Sequence, residues 1–292
     1  MMKKTMIKIY ALWMMACIFF AAVVNAAEIN PVDLDTEVAL VAREAEARLP
    51  IIMYHLVTEQ GKYIGKYGIR PAELEADLLW LADNGYTTVV MADVINFVQR
   101  GAPLPEKPIV LTFDDGNRGD IEYVLPLLMQ YDMKAVFSII GEATDKYSRQ
   151  RVKYPNAKYP NLAWCDVKTM HESGFCEIQS HGYNVHGKHG AGKKRGESTQ
   201  AYHTRLVNDL QKLQEQCIKE ISFTPTTFTY PLGIFSEGTQ EVLEAVGFVA
   251  SLSCQEGMNV LKPGDNEKLF RLHRSNRPSG VPIKALIDAM EK

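Results

Sequence analysis

Strand-like and helix-like segments alternate along this chain from residue 50 to its end, and this alternation constrains the fold more than any other feature. Residues 108–111 are a short apolar run, which is typical of a parallel strand buried on both faces. Residues 71–84 instead carry three leucines at helical spacing, between a proline and a glycine. This pattern predicts an α/β domain with a mostly parallel sheet and helical crossovers.

The same patterns predict the individual elements and two irregular segments. Strands are expected at residues 50–55, 87–91, 109–113, 135–140, 176–179, 228–230, 248–252 and 270–272. Helices are expected at residues 71–84, 123–131, 164–173, 198–220 and 283–290. Residues 145–161 contain Tyr-Pro twice and predict an irregular loop. Residues 187–196, rich in glycine and basic residues, predict either a solvated loop or a mobile rim over a site.

Two adjacent carboxylates stand where the predicted strand at residues 109–113 leaves the core. Asp114 and Asp115 are followed by Gly116, which lets the backbone turn sharply and leaves room for a ligand. Because neighbouring side chains at a strand tip point in different directions, one carboxylate can hold a cation while the other handles a proton. Aspartate and glycine are also ordinary turn residues, so this run alone is equally consistent with a solvated turn.

Two histidines follow another strand-like run, about 65 residues further along the chain. His181 and His186 come just after residues 176–179. Two imidazoles and one carboxylate are a standard ligand set for a catalytic zinc-type site, and they leave one position open for water. Lone histidines are usually structural, but a pair after a strand, in a chain with Asp-Asp-Gly at a strand end, favours metal binding. The sequence therefore predicts a divalent metal on Asp115, His181 and His186.

The run TFDDG at residues 112–116 and the run SHGYNVH at residues 180–186 together resemble the motifs of the NodB-type polysaccharide deacetylases, carbohydrate esterase family 4. The resemblance covers residues 49–292 and implies a distorted (β/α) barrel of about seven strands, fewer than the eight-fold type. It also implies that Asp114 is the general base and that Asp115 binds the metal.

The spacing of the histidines departs from the common family pattern. That pattern, His-Ser/Thr-x-x-His, separates its histidines by four positions, whereas His181 and His186 are five apart and Gly182 replaces Ser/Thr. The five-residue form resembles the branch of exported poly-N-acetylglucosamine deacetylases. His189 and His203 are the alternative ligands. The resemblance implies a divalent metal, zinc first, with cobalt, nickel or iron as alternatives.

Two further motifs contribute candidate residues. Residues 51–55 match the family's usual opening strand, and His55 either protonates a leaving amine or only hydrogen-bonds a metal ligand. Residues 227–233 resemble a Tyr-Pro-aromatic-Gly motif, in which the Tyr230 backbone N–H either helps to stabilise an oxyanion or belongs to a simple turn. Other family members carry here an arginine that orients the base, and this motif lacks it.

Basic residues near the C-terminus are the remaining candidates. His273 directly follows Leu272, so the family's Leu-x-His spacing fails and His273 is interpreted as structural. Arg271, Arg274 and Arg277 could pair with acidic groups near the rim. A solvated or salt-bridged terminal strand is the favoured interpretation of these arginines.

The first 26 residues have the three parts of a signal peptide. Three lysines precede an almost wholly apolar run at residues 9–24, and residues 24–26 form an A-x-A-like cleavage site. An uncleaved anchor is the alternative, because the apolar run is about one bilayer long. Residues 27–48 then predict a helix or linker, and residues 49–292 the catalytic domain. We expect a secreted, periplasmic or cell-envelope protein, membrane-anchored if the leader is retained.

Composition excludes some classes of partner and site. Loss of residues 1–26 changes the formal net charge from −3 to −6, which argues against a nucleic-acid partner, as does the lack of a basic helix. No Cys-x-x-Cys is present, so a thiolate zinc site is not expected. The cysteines of the predicted mature chain are either disulfide-bonded or free and buried. They are Cys165, Cys176, Cys217 and Cys254.

These features together predict an exported metal-dependent N-deacetylase that releases acetate from polymers of N-acetylhexosamine. The substrate could be peptidoglycan, poly-N-acetylglucosamine or a chitin-like glycan. An O-acetyl esterase acting on acetylated polysaccharide and a non-catalytic carbohydrate-binding protein are the alternatives. A serine esterase and a His-Glu-x-x-His protease are not expected, because neither motif is present.

Overall fold

A computed structural model describes residues 46–153 and 160–292 of the chain. The predicted signal segment at residues 1–26 and most of the predicted linker at residues 27–48 lie outside the described residues. Strand β1 begins at Ala47, so the last two residues of the predicted linker belong to the folded domain. No helix in the two described ranges is long and apolar enough to cross a bilayer.

Strands and helices alternate through the described residues. The strands are β1 (Ala47–Leu49), β2 (Ile51–Tyr54), β3 (Leu56–Val57), β4 (Gly68–Ile69), β5 (Thr87–Thr88), β6 (Pro108–Asp115), β7 (Ala135–Ile139), β8 (Cys176–Ser180), β9 (Thr227–Thr229), β10 (Ala250–Leu252), β11 (Asn259–Leu261) and β12 (Ser275–Asn276). The α-helices are α1 (Pro71–Asp83), α2 (Met91–Arg100), α3 (Leu125–Gln130), α4 (Gly141–Lys153), α5 (Trp164–Glu172), α6 (Thr199–Ile221), α7 (Thr239–Val246) and α8 (Ile283–Met290). A π-helical turn at Asp120–Val124 precedes α3, and 3-10 turns cover Gly61–Tyr63, Pro231–Gly233 and Asn266–Leu269.

Seven parallel strands form the central sheet, in the order β10-β9-β8-β7-β6-β2-β12, and β5 pairs with the start of β6. Residues 272–274 hydrogen-bond to the chain at and beyond β10, and β12, which follows them directly, pairs with β2. The sheet therefore curls, and residues 272–276 connect its two edges, because they contact β10 at one end and β2 at the other. The predicted distorted barrel of about seven strands is confirmed.

The core explains why these sequences become strands and helices. The first seven residues of β6 are buried, because helices cover one face of the sheet and barrel side chains cover the other. Helix α6 begins at an N-cap serine, Ser198, whose hydroxyl accepts from the Ala201 N–H, and it buries one leucine-rich face. Because the central strands run in parallel, their carboxyl ends lie at one edge, where loops can bring polar side chains together.

Two local predictions are wrong at the level of secondary structure. Residues 87–91 were expected to be one strand, but only Thr87–Thr88 pairs, and helix α2 then begins at Met91. The Asp93 carboxylate accepts from the Val90 N–H and caps this unpredicted helix, which ends at Gly101 in the left-handed region. Residues 145–153, expected to be irregular, belong to helix α4, because the first Tyr-Pro pair follows that helix rather than interrupting it.

The predicted strand at residues 270–272 is also absent. Leu272 makes a single parallel bridge to Leu252, and Arg271 has a φ of 61°. A left-handed residue cannot continue an extended strand, so the pairing stops after one bridge. The regular pairing along this part of the chain begins instead at β12.

Candidate active site and metal centre

The predicted site residues meet at the carboxyl edge of the central sheet. His55 follows β2, Asp114 and Asp115 end β6, and His181 follows β8 directly. They line a cleft of about 690 Å³ together with His186. The parallel order of the strands produces this meeting, because each strand delivers its last residues to the same edge.

Asp115, His181 and His186 form a cluster in which one ligand atom from each residue lies within 4.8 Å of the other two. The Asp115 Oδ1 atom lies 3.1 Å from His186 Nε2 and 3.5 Å from His181 Nε2. This oxygen is buried and has no hydrogen-bond partner among the residues that the structure describes. Asp115 also has a φ of 79°, a conformation that costs about 1–3 kcal/mol in a non-glycine residue and is typical of functional sites.

The tautomer of His181 suits metal binding. Its Nδ1 atom lies 2.9 Å from the Thr229 carbonyl oxygen, which can only accept, so Nδ1 carries the proton and Nε2 keeps its lone pair. A backbone carbonyl that orients a ligating imidazole is the usual arrangement around a protein metal. Two such imidazoles and an orphaned carboxylate oxygen fit a divalent cation with one open position. The predicted ligands therefore fit the implied divalent metal.

The loop between the two histidines is held from helix α6. The Asp209 carboxylate accepts from the backbone N–H groups of Tyr183 and Asn184, each at 2.7 Å. Gly182, with a φ of 80°, replaces the Ser/Thr of the commoner motif, and a Cβ there would lie 3.1 Å from Asp209 Oδ1. Asp209, on helix α6, thus accepts the hydrogen bonds that hold the loop between the two histidines in place. No local sequence pattern indicates this role of Asp209.

Asp114 faces a different partner. The Arg274 guanidinium donates from Nη1 to Asp114 Oδ1 at 2.8 Å and from Nη2 to Oδ2 at 2.9 Å. It also donates to Thr112 Oγ1 at 3.1 Å and to the Ser253 carbonyl at 2.8 Å. Arg274 is fully buried, and Asp114 is 2% exposed. Arg274 therefore fills the orienting role that the motif at residues 227–233 lacks.

The charges of the site follow from these contacts. Burial alone would raise the pKa of Asp114, but the Arg274 guanidinium outweighs it and lowers that pKa to about 2. Burial would also raise the pKa of Asp115, but the imidazoles of His186 and His181 outweigh burial and lower that pKa. Burial lowers the pKa of His181, whereas the Asp115 carboxylate raises the pKa of His186. Both aspartates are therefore ionised at neutral pH.

Two asparagines hold the turn that carries the carboxylates. The Asn117 side chain donates to the Asp114 carbonyl at 3.2 Å and to the His55 carbonyl at 3.4 Å. The Asn161 side chain donates to the Asp115 carbonyl at 3.3 Å. These bonds tie the ends of β2 and β6 together. They place His55, whose buried Nδ1 has no hydrogen-bond partner in the described chain, on the same cleft as Asp114.

Two predicted substrate or oxyanion residues do not have the expected roles. The Tyr230 N–H already donates to the Leu252 carbonyl at 3.0 Å, and its ring is buried, so this N–H is not free for an oxyanion. Gly116 does need its φ of 67°, but the position of its missing Cβ lies 3.2 Å from the side chain of Ile139. Its open side therefore packs on the sheet and leaves no room for a ligand there.

The remaining histidines lie apart from the cluster. His189 lines a separate cavity with Arg205 and Asp209. His203 packs against Gly238, where its Nε2 would lie 2.8 Å from an added Cβ. Neither belongs to the group that could hold a metal in the described chain, so the structure does not bring the alternative ligands to the site.

Of the possibilities offered for the C-terminal arginines, pairing with carboxylates describes Arg274 and Arg277, and both side chains are buried rather than solvated. Arg274 binds Asp114, and Arg277 donates from Nε to Asp77 Oδ2 at 2.7 Å with its side chain 3% exposed. Arg271 is exposed. The sequence alone does not separate these two buried arginines from the exposed one, because all three lie near the last strand and carry the same charge.

The four cysteines of the described chain are free. Cys176 and Cys217 are buried, and burial raises the pKa of each thiol to about 12. Cys254 is exposed and lines the cleft, with its Sγ 3.9 Å from Arg274 Nη2. The alternative of free thiols thus describes this structure, and no thiolate joins the metal cluster.

A family model described as polysaccharide deacetylase matches residues 101–251. The poly-beta-1,6-N-acetyl-D-glucosamine N-deacetylase of Escherichia coli (strain K12) is 25% identical to this chain over 248 residues. The aligned region covers 78% of this chain and 37% of that protein. The chain therefore spans little more than a third of the length of this curated relative.

Solved structures have a similar fold. A de-N-acetylase from Aggregatibacter actinomycetemcomitans matches with a TM-score of 0.70 and 26% identity, covering 83% of this chain and 99% of that chain. The Streptococcus pyogenes deacetylase PplD in complex with acetate matches with a TM-score of 0.68 and 20% identity, covering 85% of this chain and all of that chain. At 20% identity the second likeness concerns the fold alone.

Proposed function

The chain belongs to the polysaccharide deacetylase family, and on this premise we propose that it is a metal-dependent N-deacetylase of N-acetylhexosamine polymers. One observation carries the proposal: a carboxylate locked by a buried arginine lies beside a carboxylate and two histidines that fit a divalent cation, all on one cleft. The curated relatives are N-deacetylases, which are hydrolases acting on carbon–nitrogen bonds, as the sequence predicts for this chain.

Asp115, His181 and His186 would hold the cation. A divalent cation bound there supplies Lewis acidity, which polarises the acetyl carbonyl and makes water a better nucleophile. The three residues leave one coordination position open for water and substrate. Thr229 and Asp209 keep the two histidines oriented, the first through the His181 ring and the second through the loop backbone.

Asp114 is the residue that takes the proton from the attacking water. Arg274 occupies one lone pair on each of its oxygens, so each oxygen keeps a second lone pair for a proton. The low pKa of about 2 keeps Asp114 ionised at neutral pH. It also makes Asp114 a weak base, so its contribution rests on position and permanent charge as much as on basicity.

His55 is the residue that protonates the departing amine. Its buried Nδ1 has no partner among the described residues, and its ring faces the cleft that holds Asp114. An imidazole has two ring nitrogens that can each accept or donate a proton, so His55 has the chemistry to pass one to the leaving amine. The products are acetate and a free amino sugar.

The proposed substrate is a polymer of N-acetylhexosamine, and the proposed location is outside the cytoplasm. The first part rests on the curated Escherichia coli relative, whose name specifies poly-beta-1,6-N-acetyl-D-glucosamine. The second rests on the tripartite sequence of residues 1–26. Mass spectrometry of the protein from its native host is expected to give a chain that starts at Ala27. A chain that still starts at Met1 would favour a membrane anchor.

Acetate release is the direct test of the activity. The chelated protein and the protein reloaded with zinc, cobalt, nickel or iron would be incubated with poly-N-acetylglucosamine, chitin oligomers, peptidoglycan and acetylated xylan. We expect metal-dependent acetate release from one of the N-acetylated glycans. Release from acetylated xylan alone would make the protein an O-acetyl esterase, and binding without release would make it a carbohydrate-binding protein.

A further inference from the structure

Exposed apolar side chains are concentrated at the candidate active site. Six large hydrophobic side chains of the described residues are strongly exposed, and three of them line the cleft of the metal cluster. Tyr63 is 51% exposed, Tyr67 is 50% exposed and Leu232 is 56% exposed. Large apolar groups left in water next to a polar site are typical of ligand-binding surfaces.

The two tyrosines are held by backbone bonds rather than by their own side chains. The Leu56 N–H donates to the Tyr67 carbonyl at 3.0 Å, and the Asn276 side chain donates to the carbonyl of the preceding residue, Lys66, at 2.8 Å. Gly68 packs so tightly that an added Cβ would lie 2.1 Å from the Tyr63 carbonyl oxygen. The segment is therefore fixed before any ligand binds, which lowers the entropic cost of binding.

The positions of these rings suit a chain of sugars. The Tyr67 ring lies 4.8 Å from the His55 ring, next to the reacting groups. Tyr63 lines both the main cleft and a second cavity of about 580 Å³, which also share Leu56 and Asn117. Tyr63 therefore lies where the main cleft and the second cavity adjoin, so an elongated ligand could occupy both.

Leu232 provides an apolar surface from another part of the sheet. It follows β9, whereas the tyrosines follow β2, and β6 to β8 lie between those strands in the sheet order. Its φ of 59° is strained for a leucine, and the turn still presents its side chain at the cleft. Apolar surfaces thus approach the metal cluster from both directions along the sheet.

We propose that Tyr63 and Tyr67 form a platform on which the pyranose rings flanking the reacting acetamide stack. The proposal rests on the proposed function for its substrate class. The face of an aromatic ring is negative, so it attracts the polarised C–H groups that cover one face of a pyranose. The ammonium groups of Lys62 and Lys66 lie over the two rings, 4.7 Å and 5.0 Å from the centroids, so these flexible side chains must move aside for a sugar to stack on the same faces.

The test compares ring removal with ring retention. Tyr63→Ala and Tyr67→Ala remove the platform, Tyr63→Phe and Tyr67→Phe keep the rings, and Met129→Ala removes an equally exposed apolar side chain elsewhere. Calorimetry would give the Kd for the N-acetylglucosamine hexamer, and acetate release would give KM and kcat. A small aryl acetate, which is too short to span both rings, serves as the second substrate, and metal content is measured throughout.

We expect each alanine variant to raise the Kd and the KM for the hexamer by roughly three- to tenfold, the usual worth of an aromatic contact. The effect on the aryl acetate is expected to be smaller, and the phenylalanine and Met129→Ala variants should resemble the parent protein. Unchanged hexamer binding in both alanine variants would overturn the platform, as would equal losses in the phenylalanine variants.

The binding assay separates this inference from the proposed function. Tyrosine-dependent hexamer binding without acetate release by the parent protein would support the platform and overturn the N-deacetylase proposal. Acetate release that is insensitive to both alanine substitutions would support the deacetylase and overturn the platform.

Discussion

The two neighbouring aspartates of the site have opposite surroundings. On the arginine side, which comprises Asp114 and Arg274, every polar atom is buried and both carboxylate oxygens are bound. On the histidine side, which comprises Asp115, His181 and His186, one carboxylate oxygen is orphaned and His186 is 30% exposed. The comparison shows that a turn of one residue at a strand end gives two adjacent carboxylates opposite surroundings, which suits the proposed roles of a fixed base and a metal ligand.

The largest expected effect comes from the arginine side. Asp114→Asn keeps the shape of the side chain but removes the proton acceptor, so turnover should fall by roughly 10²- to 10⁴-fold while the metal stays bound. Metal content and acetate release would be measured on the same sample. Loss of metal from this variant would contradict the division between the two sides.

The same variant leaves Arg274 buried without its counter-charge. Removing one partner of a buried ion pair costs about 3–5 kcal/mol of unfolding free energy, so chemical denaturation should show a less stable protein. Adding Arg274→Met to Asp114→Asn removes the unpaired charge and should recover much of that stability without recovering turnover. Recovered turnover in the double variant would show that Asp114 is not the base.

The next effect belongs to the histidine side. His186→Ala removes one ligand, so metal affinity should fall by more than about 100-fold, since outer partners of ligands alone are worth 10–100-fold. Metal content after dialysis against a weak chelator measures the loss. His189→Ala is the matched control, because His189 lines another cavity. Normal metal content in the His186→Ala protein would move the third ligand elsewhere.

His55 tests whether the arginine side has a partner in proton transfer. If His55 protonates the amine, His55→Ala should lower turnover of N-acetylated oligomers by about 10²-fold. The loss should be much smaller with an activated aryl acetate, whose leaving group needs no proton. Equal losses on amide and ester would make His55 a binding or structural residue.

Asp209 offers a gentler change on the histidine side. Asp209→Asn leaves only one side-chain acceptor for the N–H groups of Tyr183 and Asn184, so metal affinity should fall by roughly 10–100-fold. Activity should return at saturating metal, which a general loss of structure would not allow. Asp288→Asn, in an exposed pair with Lys284 on α8, controls for the loss of charge.

Asp120 shows what happens to a carboxylate that has neither an arginine nor histidines. It is fully buried, both of its oxygens lack partners within the described residues, and burial raises its pKa well above the usual value. Between the unfolded pKa near 4 and the folded pKa, the folded protein holds a proton that the unfolded chain releases, so stability falls as pH rises.

Asp120→Asn should remove this pH dependence. The variant should match the parent at about pH 4 and exceed it by about 1–3 kcal/mol at neutral pH, the usual cost of a poorly compensated buried polar group. Urea unfolding at several pH values measures the difference. A difference that does not vary with pH would mean that Asp120 is ionised in the folded protein.

Much of the barrel could be predicted because its strands are locally encoded. The apolar run before Asp114 and the leucine face of α6 need no distant information, and both were found. Helix α2 was missed because Val89 and Val90 extend the strand-like pattern up to the helix start. Helix α4 was missed because most of its residues are polar, so it shows no clear apolar face, and because the Tyr-Pro pairs that follow it suggest a loop.

The site divides in the same way between local and distant information. The three candidate ligands could be predicted because Asp115 ends β6 and both histidines follow β8, and the shared edge follows from parallel topology. Arg274 and Asp209 were not assigned because their partners are 160 and at least 25 positions away, and charge alone does not say which side chains turn inward. Tyr230 was misjudged because a sequence does not show that its N–H is already bonded.

The distance in sequence between Asp114 and Arg274 has a consequence for the order in which the chain becomes functional. Every histidine-side residue precedes Arg274, so a polypeptide cut between α7 and Arg274 contains the full set of metal ligands. Such a fragment lacks the counter-ion of Asp114 and the segment that joins the edges of the barrel. During synthesis, the partner of Asp114 is therefore the last part of the proposed site to be made, after the three residues that could hold a metal.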